Sequence, residues 1–228
     1  MPIFNNGLGA TVTSDELIDL LAMYSSVDFK TDFEVKIAAL LFAQPDNFTK
    51  EELLNSIEYF NARSRSSIDL YFVGYKKVVP GFSTSRSIVA TVNNVDWYFS
   101  PDIFNELRKA FETKTKWQYS GSVELILFNL YSTNDKKQIQ FDFSDAICID
   151  LKKAKANNLI TSSGELLEKV FSIADEISTS NPAKEMSIKL IGNTGKKSLV
   201  NILFNLLPEA IKEDTKKMYM FSTTNWNK

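Results

Sequence analysis

Apolar residues recur at two different periods along the chain, and the change of period divides it. Thr13-Ser14-Asp15-Glu16 has the form of a capping box, in which the threonine hydroxyl accepts from the amide three residues on and the glutamate reaches back. Leu17, Leu20, Leu21 and Tyr24 follow at helical spacing, and a second apolar stretch from Phe33 through Ile37, Leu40 and Leu41 continues in the same way to Pro45. Phe48-Thr49-Lys50-Glu51-Glu52-Leu53 adds a capping box between Thr49 and Glu52 and a hydrophobic staple between Phe48 and Leu53, ahead of Leu54, Ile57 and Phe60. Residues 1–64 are therefore expected to be a helical N-terminal segment.

The texture changes at Ser64 to Ser67, and residues 65–228 are expected to form an α+β sheet domain, either separate from 1–64 or continuous with it. Ile68 to Tyr75 alternates as a mostly buried strand rich in aromatic and β-branched side chains. Ser87 to Val92 and Val95 to Phe99 read as two short strands around Asn93-Asn94, a pair suited to a hairpin tip. Ser100-Pro101-Asp102 opens a helix with a serine cap, a proline in the first turn and a carboxylate at the positive end of the dipole, and that helix should stop near Thr115. Strands are expected over Ser122 to Tyr131, Gln138 to Phe143 and Ala146 to Leu151, with Ser144-Asp145 as a turn. A capping box at Ser162 and Glu165 starts a helix to about Ser178. A strand from Met186 to Ile191, a helix from Lys197 to Leu207 and a last strand from Lys217 to Ser222 complete the pattern. The expected fold class is α+β: a helical N-terminal part, then a mixed, largely antiparallel sheet with flanking helices.

Composition narrows the chemistry. The chain has 228 residues and no histidine, which removes Ser-His-Asp and Cys-His nucleophilic sites and every histidine-containing metal site. The single cysteine, Cys148, excludes an intramolecular disulfide and any multi-cysteine metal cluster; flanked by Ile147 and Ile149, it reads as a buried inert thiol. Gly7-Leu8-Gly9 is a lone G-x-G without a preceding strand, so a dinucleotide fingerprint is rejected. The longest apolar run, Ile37 to Phe42 with Ala43, falls far short of the roughly 20 residues a bilayer needs, and no basic leader opens the chain, so a cytoplasmic protein with no membrane partner is expected. Heavy use of Asn, Lys, Ile, Phe and Ser fits translation from an AT-rich genome and is compatible with a role in bacterial or phage conflict.

Net charge is −2, but residues 1–60 carry 3 basic and 10 acidic side chains while residues 61–90 carry 5 basic and 1 acidic. Arg63, Arg65, Lys76, Lys77 and Arg86 thus fall among a crowd of aromatic residues that includes Tyr71, Tyr75, Trp97 and Trp117. Arginine and aromatic side chains together are the composition of a protein interface hot spot. The expectation is a non-enzymatic interaction or sensor protein that binds a protein partner or self-associates, with Arg63, Arg65, Tyr71, Tyr75, Lys76, Lys77, Trp97 and Trp117 as contact residues and no cofactor. Nucleic acid is not favoured, because the charge balance is not basic.

Two alternatives follow from local motifs. From residue 101 the expected order of helix, three strands, helix and strand resembles the core of restriction-endonuclease-like nucleases. That resemblance implies a magnesium-dependent site with Asp142 and Asp150-Leu151-Lys152 on neighbouring strands, Lys152 positioning the attacking water and Glu106 as a helix carboxylate. The register opposes it: a turn at Ser144-Asp145 pairs Asp142 near Ile147 and leaves Asp150 about 10 Å further along. The second alternative is a nucleotide or small-phosphate site at Gly195-Lys196-Lys197-Ser198, where Lys196, Lys197 and Ser198 open a helix; the glycine spacing of a P-loop is missing. Ser83-Thr84-Ser85 with Arg63 and Arg65 resembles elements of ADP-ribosyltransferases, but the chain has no E/Q-x-E motif for their catalytic glutamate.

Overall fold

A computed structural model describes residues 35–64, 68–78, 87–114, 117–132 and 139–178. The chain enters as strand β1 (Val35–Phe42), followed by helix α1 (Asn47–Glu52), a 3-10 turn (Leu54–Ser56) and helix α2 (Ile57–Ser64). Strands β2 (Ile68–Phe72), β3 (Tyr75–Lys77), β4 (Ile88–Val92) and β5 (Val95–Phe99) precede helix α3 (Pro101–Lys114). Strands β6 (Glu124–Ser132) and β7 (Ile139–Asp150) then lead to helices α4 (Leu151–Ala156) and α5 (Ser163–Ser178). The class is α+β, with one sheet ordered β2-β1-β6-β7 and a smaller one ordered β3-β5-β4. β1 and β2 are parallel, joined by the α1–α2 crossover that parallel strands require, and the other pairings are antiparallel.

Strand alternation sends the sheet's side chains into two cores. Ile37, Ala39 and Leu41 of β1, Leu70 and Phe72 of β2, Leu125 of β6 and Ile149 of β7 pack against α2, α4 and α5 and against Val92 and Trp97 of the small sheet. Leu40, Phe42, Tyr71, Ile126 and Cys148 face the other way, against Phe104, Leu107 and Phe111 of α3 and against Trp117. Residues 35–64 therefore share one core with residues 68–178.

The stretch from Phe33 to Leu41, expected to be helical, is from Val35 onward the strand β1. The reason is its position: β1 lies between β2 and β6 with both faces covered, so every residue from Ile37 to Ala43 is buried and no polar position marks the two-residue period. The next helix also starts earlier than its capping box suggests. Asp46 is the cap, its carboxylate accepting from the Thr49 amide at 2.8 Å, while Thr49 is itself buried and Glu52 turns to other partners. The expected strand from Ile68 to Tyr75 breaks at Val73 and Gly74 into β2 and β3. Gly74 sits at φ +84°, its carbonyl accepts from the Ser100 amide at 2.7 Å, and it leaves no room for a side chain: an added Cβ would meet Phe104 Cβ at 2.8 Å.

The largest departure is at Ser144-Asp145, where the expected turn is absent and β7 runs unbroken from Ile139 to Asp150. Its pairing with β6 absorbs one irregularity, between Leu127 and Asn129, without reversing the chain. Leu151 and Lys152, expected as the end of that strand, belong to α4, whose cap is Asp150. Other expectations stand. Asn93 and Asn94 both have positive φ, 51° and 61°, as a two-residue hairpin turn between β4 and β5 requires. α3 occupies Pro101–Lys114, and Ser162 Oγ accepts from the Glu165 amide at 3.1 Å at the start of α5. The elements expected before residue 35 and after residue 178 lie outside the described residues.

Candidate functional site

Each expected contact residue has a definite place. Tyr71 lies in β2 beneath α3, and burial together with the neighbouring Asp69 charge pushes its phenol well above the ordinary range. Tyr75 is buried at the start of β3, its hydroxyl donating to the Ala43 carbonyl at 3.0 Å. Trp97 and Trp117 are core residues on opposite faces of the main sheet. These four rings fill the interior, so they present no hot spot to a partner. Lys76 and Lys77 are half-buried in β3, with the Lys77 ammonium 5.6 Å from the centroid of the Trp97 ring. Arg63 is spent on the fold: its Nε donates to Glu168 Oε2 at 3.2 Å and its Nη1 to Asp175, tying α2 to α5. Arg65 and Arg86 lie outside the described residues, as do Lys196, Lys197 and Ser198.

The nuclease residues are not brought together. Asp142 and Asp150 lie eight positions apart on the same strand, which at strand rise separates their backbones by roughly 25 Å. Asp142 pairs opposite Asn129, whereas Asp150 pairs opposite Glu124. The Asp150 carboxylate accepts from Ser122 Oγ at 2.6 Å and from the Lys153 amide at 2.9 Å. Lys152 leaves the strand for α4 and pairs with Asp46, and Glu106 is half-exposed on α3, in the layer over one face of the sheet. Among the described residues no group of three or more carboxylate, cysteine or histidine side chains is placed to hold a metal ion.

A polar cluster that the sequence pattern does not announce lies where β6 begins. Glu124 is 1% exposed inside an otherwise apolar strand end. Its Oε2 accepts from Trp117 Nε1 at 2.7 Å and from Cys148 Sγ at 3.7 Å; its Oε1 accepts from the Ser120 amide at 3.0 Å and from the Ser120 hydroxyl. Tyr119 donates its hydroxyl to the Ser122 carbonyl at 2.7 Å and its amide to Glu112 Oε1 at 3.1 Å, and Arg108 binds the same Glu112 carboxylate. Burial, then the Glu124 and Asp46 charges, pushes the Tyr119 phenol up to about 12. Burial and the same glutamate drive the Cys148 thiol well above its ordinary value, which keeps it protonated and unreactive. Apart from the Cys148 thiol on β7, the donors to Glu124 come from the loop Trp117–Glu124 itself, so the cluster clamps that loop to the sheet. The signal for it is slight: one acidic residue at the head of the apolar run Leu125 to Phe128.

A second clamp joins α1 to the helices after β7. Glu52 pairs with Lys155 and accepts from the Ser163 amide at 2.8 Å, at the start of α5. Burial resists ionisation of Asp46 and Glu52, but hydrogen bonds from Lys152 and Thr49 to the one, and from Lys155 and Ser163 to the other, hold both below their ordinary values.

The surface tells a different story from the core. Tyr59 on α2 and Ile88 on β4 are the large hydrophobic side chains left exposed among the described residues, at 52% and 48%. α2 packs beside β4, and the Asn93 amide at the end of β4 donates to Glu58 Oε1 at 3.3 Å. β4 is an outer strand of the small sheet among the described residues. No helix among the described residues is long and apolar enough to cross a membrane. Comparison with known proteins finds no family model, no curated protein and no solved structure that matches the chain.

Proposed function

We propose that this is a non-enzymatic interaction or sensor protein of the cytoplasm, which acts by associating with a protein partner or with a second copy of itself. The observation that supports this reading is the exposure of Ile88 and Tyr59 on two adjacent elements, one of them β4, an outer strand among the described residues. Outer strands carry a row of backbone donors and acceptors suited to another chain, and folded proteins usually guard them with charge or proline. β4, Ile88-Val89-Ala90-Thr91-Val92, has neither; its one irregularity is a register shift between Ile88 and Ala90. The contact surface of this proposal is thus β4 and α2 rather than the aromatic rings, which are internal. Residue usage typical of an AT-rich genome is compatible with a setting in bacterial or phage conflict.

The test is native mass spectrometry of protein purified gently from its own host, with wild type, Ile88→Lys and Tyr59→Ser compared. Both side chains are about half exposed, so each variant should keep its melting temperature within a few degrees. The wild type should appear in a heavier complex, and Ile88→Lys should weaken it at least tenfold. A bare wild-type monomer, or a complex indifferent to both substitutions, would overturn the proposal.

A further inference from the structure

We draw no further inference here: the strongest candidate, the exposed Ile88 of strand β4 with Tyr59 on the adjacent helix α2, belongs to the surface already described, and nothing in the structure shows what covers it.

Discussion

Replacing Glu124 by alanine should be among the most damaging single changes in this chain, although the residue does no chemistry. The substitution leaves the Trp117 indole N–H buried without its acceptor, at a cost of about 1–3 kcal/mol, and releases the Ser120 amide, worth about 1 kcal/mol more. Relief from burying a carboxylate offsets part of this, so the net loss should be about 2 kcal/mol. In a chain of this size each kcal/mol moves the melting temperature by about 2–4 °C, which gives a drop of about 4–8 °C. Glu124→Gln provides the internal control. An amide has one acceptor end and one donor end, so glutamine can satisfy the indole or the Ser120 amide but not both, and it should recover about half of the loss. Urea unfolding of the two variants, with Trp117→Phe and the Trp117→Phe/Glu124→Ala double variant to close a cycle, separates the pair from its surroundings. The expected coupling is about 1–2 kcal/mol. Additive single effects, or an alanine variant within 0.5 kcal/mol of wild type, would refute the clamp.

Three further outcomes are open to simple measurement. Gly74→Ala should lower stability by about 2–4 kcal/mol, because it combines positive φ with a Cβ forced against Phe104; an unchanged urea midpoint would contradict the close approach of α3 to this turn. Asp46 and Glu52 have folded-state values below the ordinary 3.8 and 4.5, so the stability they contribute is present above about pH 4.5 and lost as the pH falls through the lowered values. Glu52→Gln should therefore flatten the acid limb of stability against pH, and an acid limb identical to wild type would dismiss its role. Cys148 should react with a thiol reagent far more slowly in the native protein than in urea; equal rates would mean that the thiol is not held behind Trp117 and Glu124.

The sequence was most legible where a single residue type carries the conformation. Asn93-Asn94 can serve as a two-residue hairpin turn because asparagine tolerates positive φ, and Ser100-Pro101 opens α3 because its chemistry suits a helix start and little else. It was least legible in β1 and β7. Burial on both faces erases the alternation of β1, so its apolar residues at helical spacing were as good a match to a helix as to a central strand. At Ser144-Asp145 two polar residues in succession look like a turn, yet β7 passes straight through them, paired along both halves with β6. The clustered aromatic and basic residues part company for a related reason. Aromatic and basic residues close in sequence alternate between the interior and solvent, so the rings of Tyr71, Tyr75, Trp97 and Trp117 went inward and Arg63 was taken by α5. Glu124 carried only a slight signal, because Trp117 and Ser120 reach it through the bend of the loop before β6 and Cys148 reaches it only when β6 pairs with β7.

The central place of β1 also sets a timetable for synthesis. Leu40 pairs with Ile126, 86 positions later, so at about 5–20 residues per second the ribosome needs about 4–17 s to deliver the partner strand. During that interval β2 can flank only one edge of β1, and the uncharged run from Ile37 to Ala43 has the makeup of a segment that aggregates when left exposed. Yield in the cell should thus depend on elongation rate and on chaperones that hold short apolar segments. Slowing translation between residues 72 and 124 should raise the insoluble fraction more than the same pause placed after residue 150.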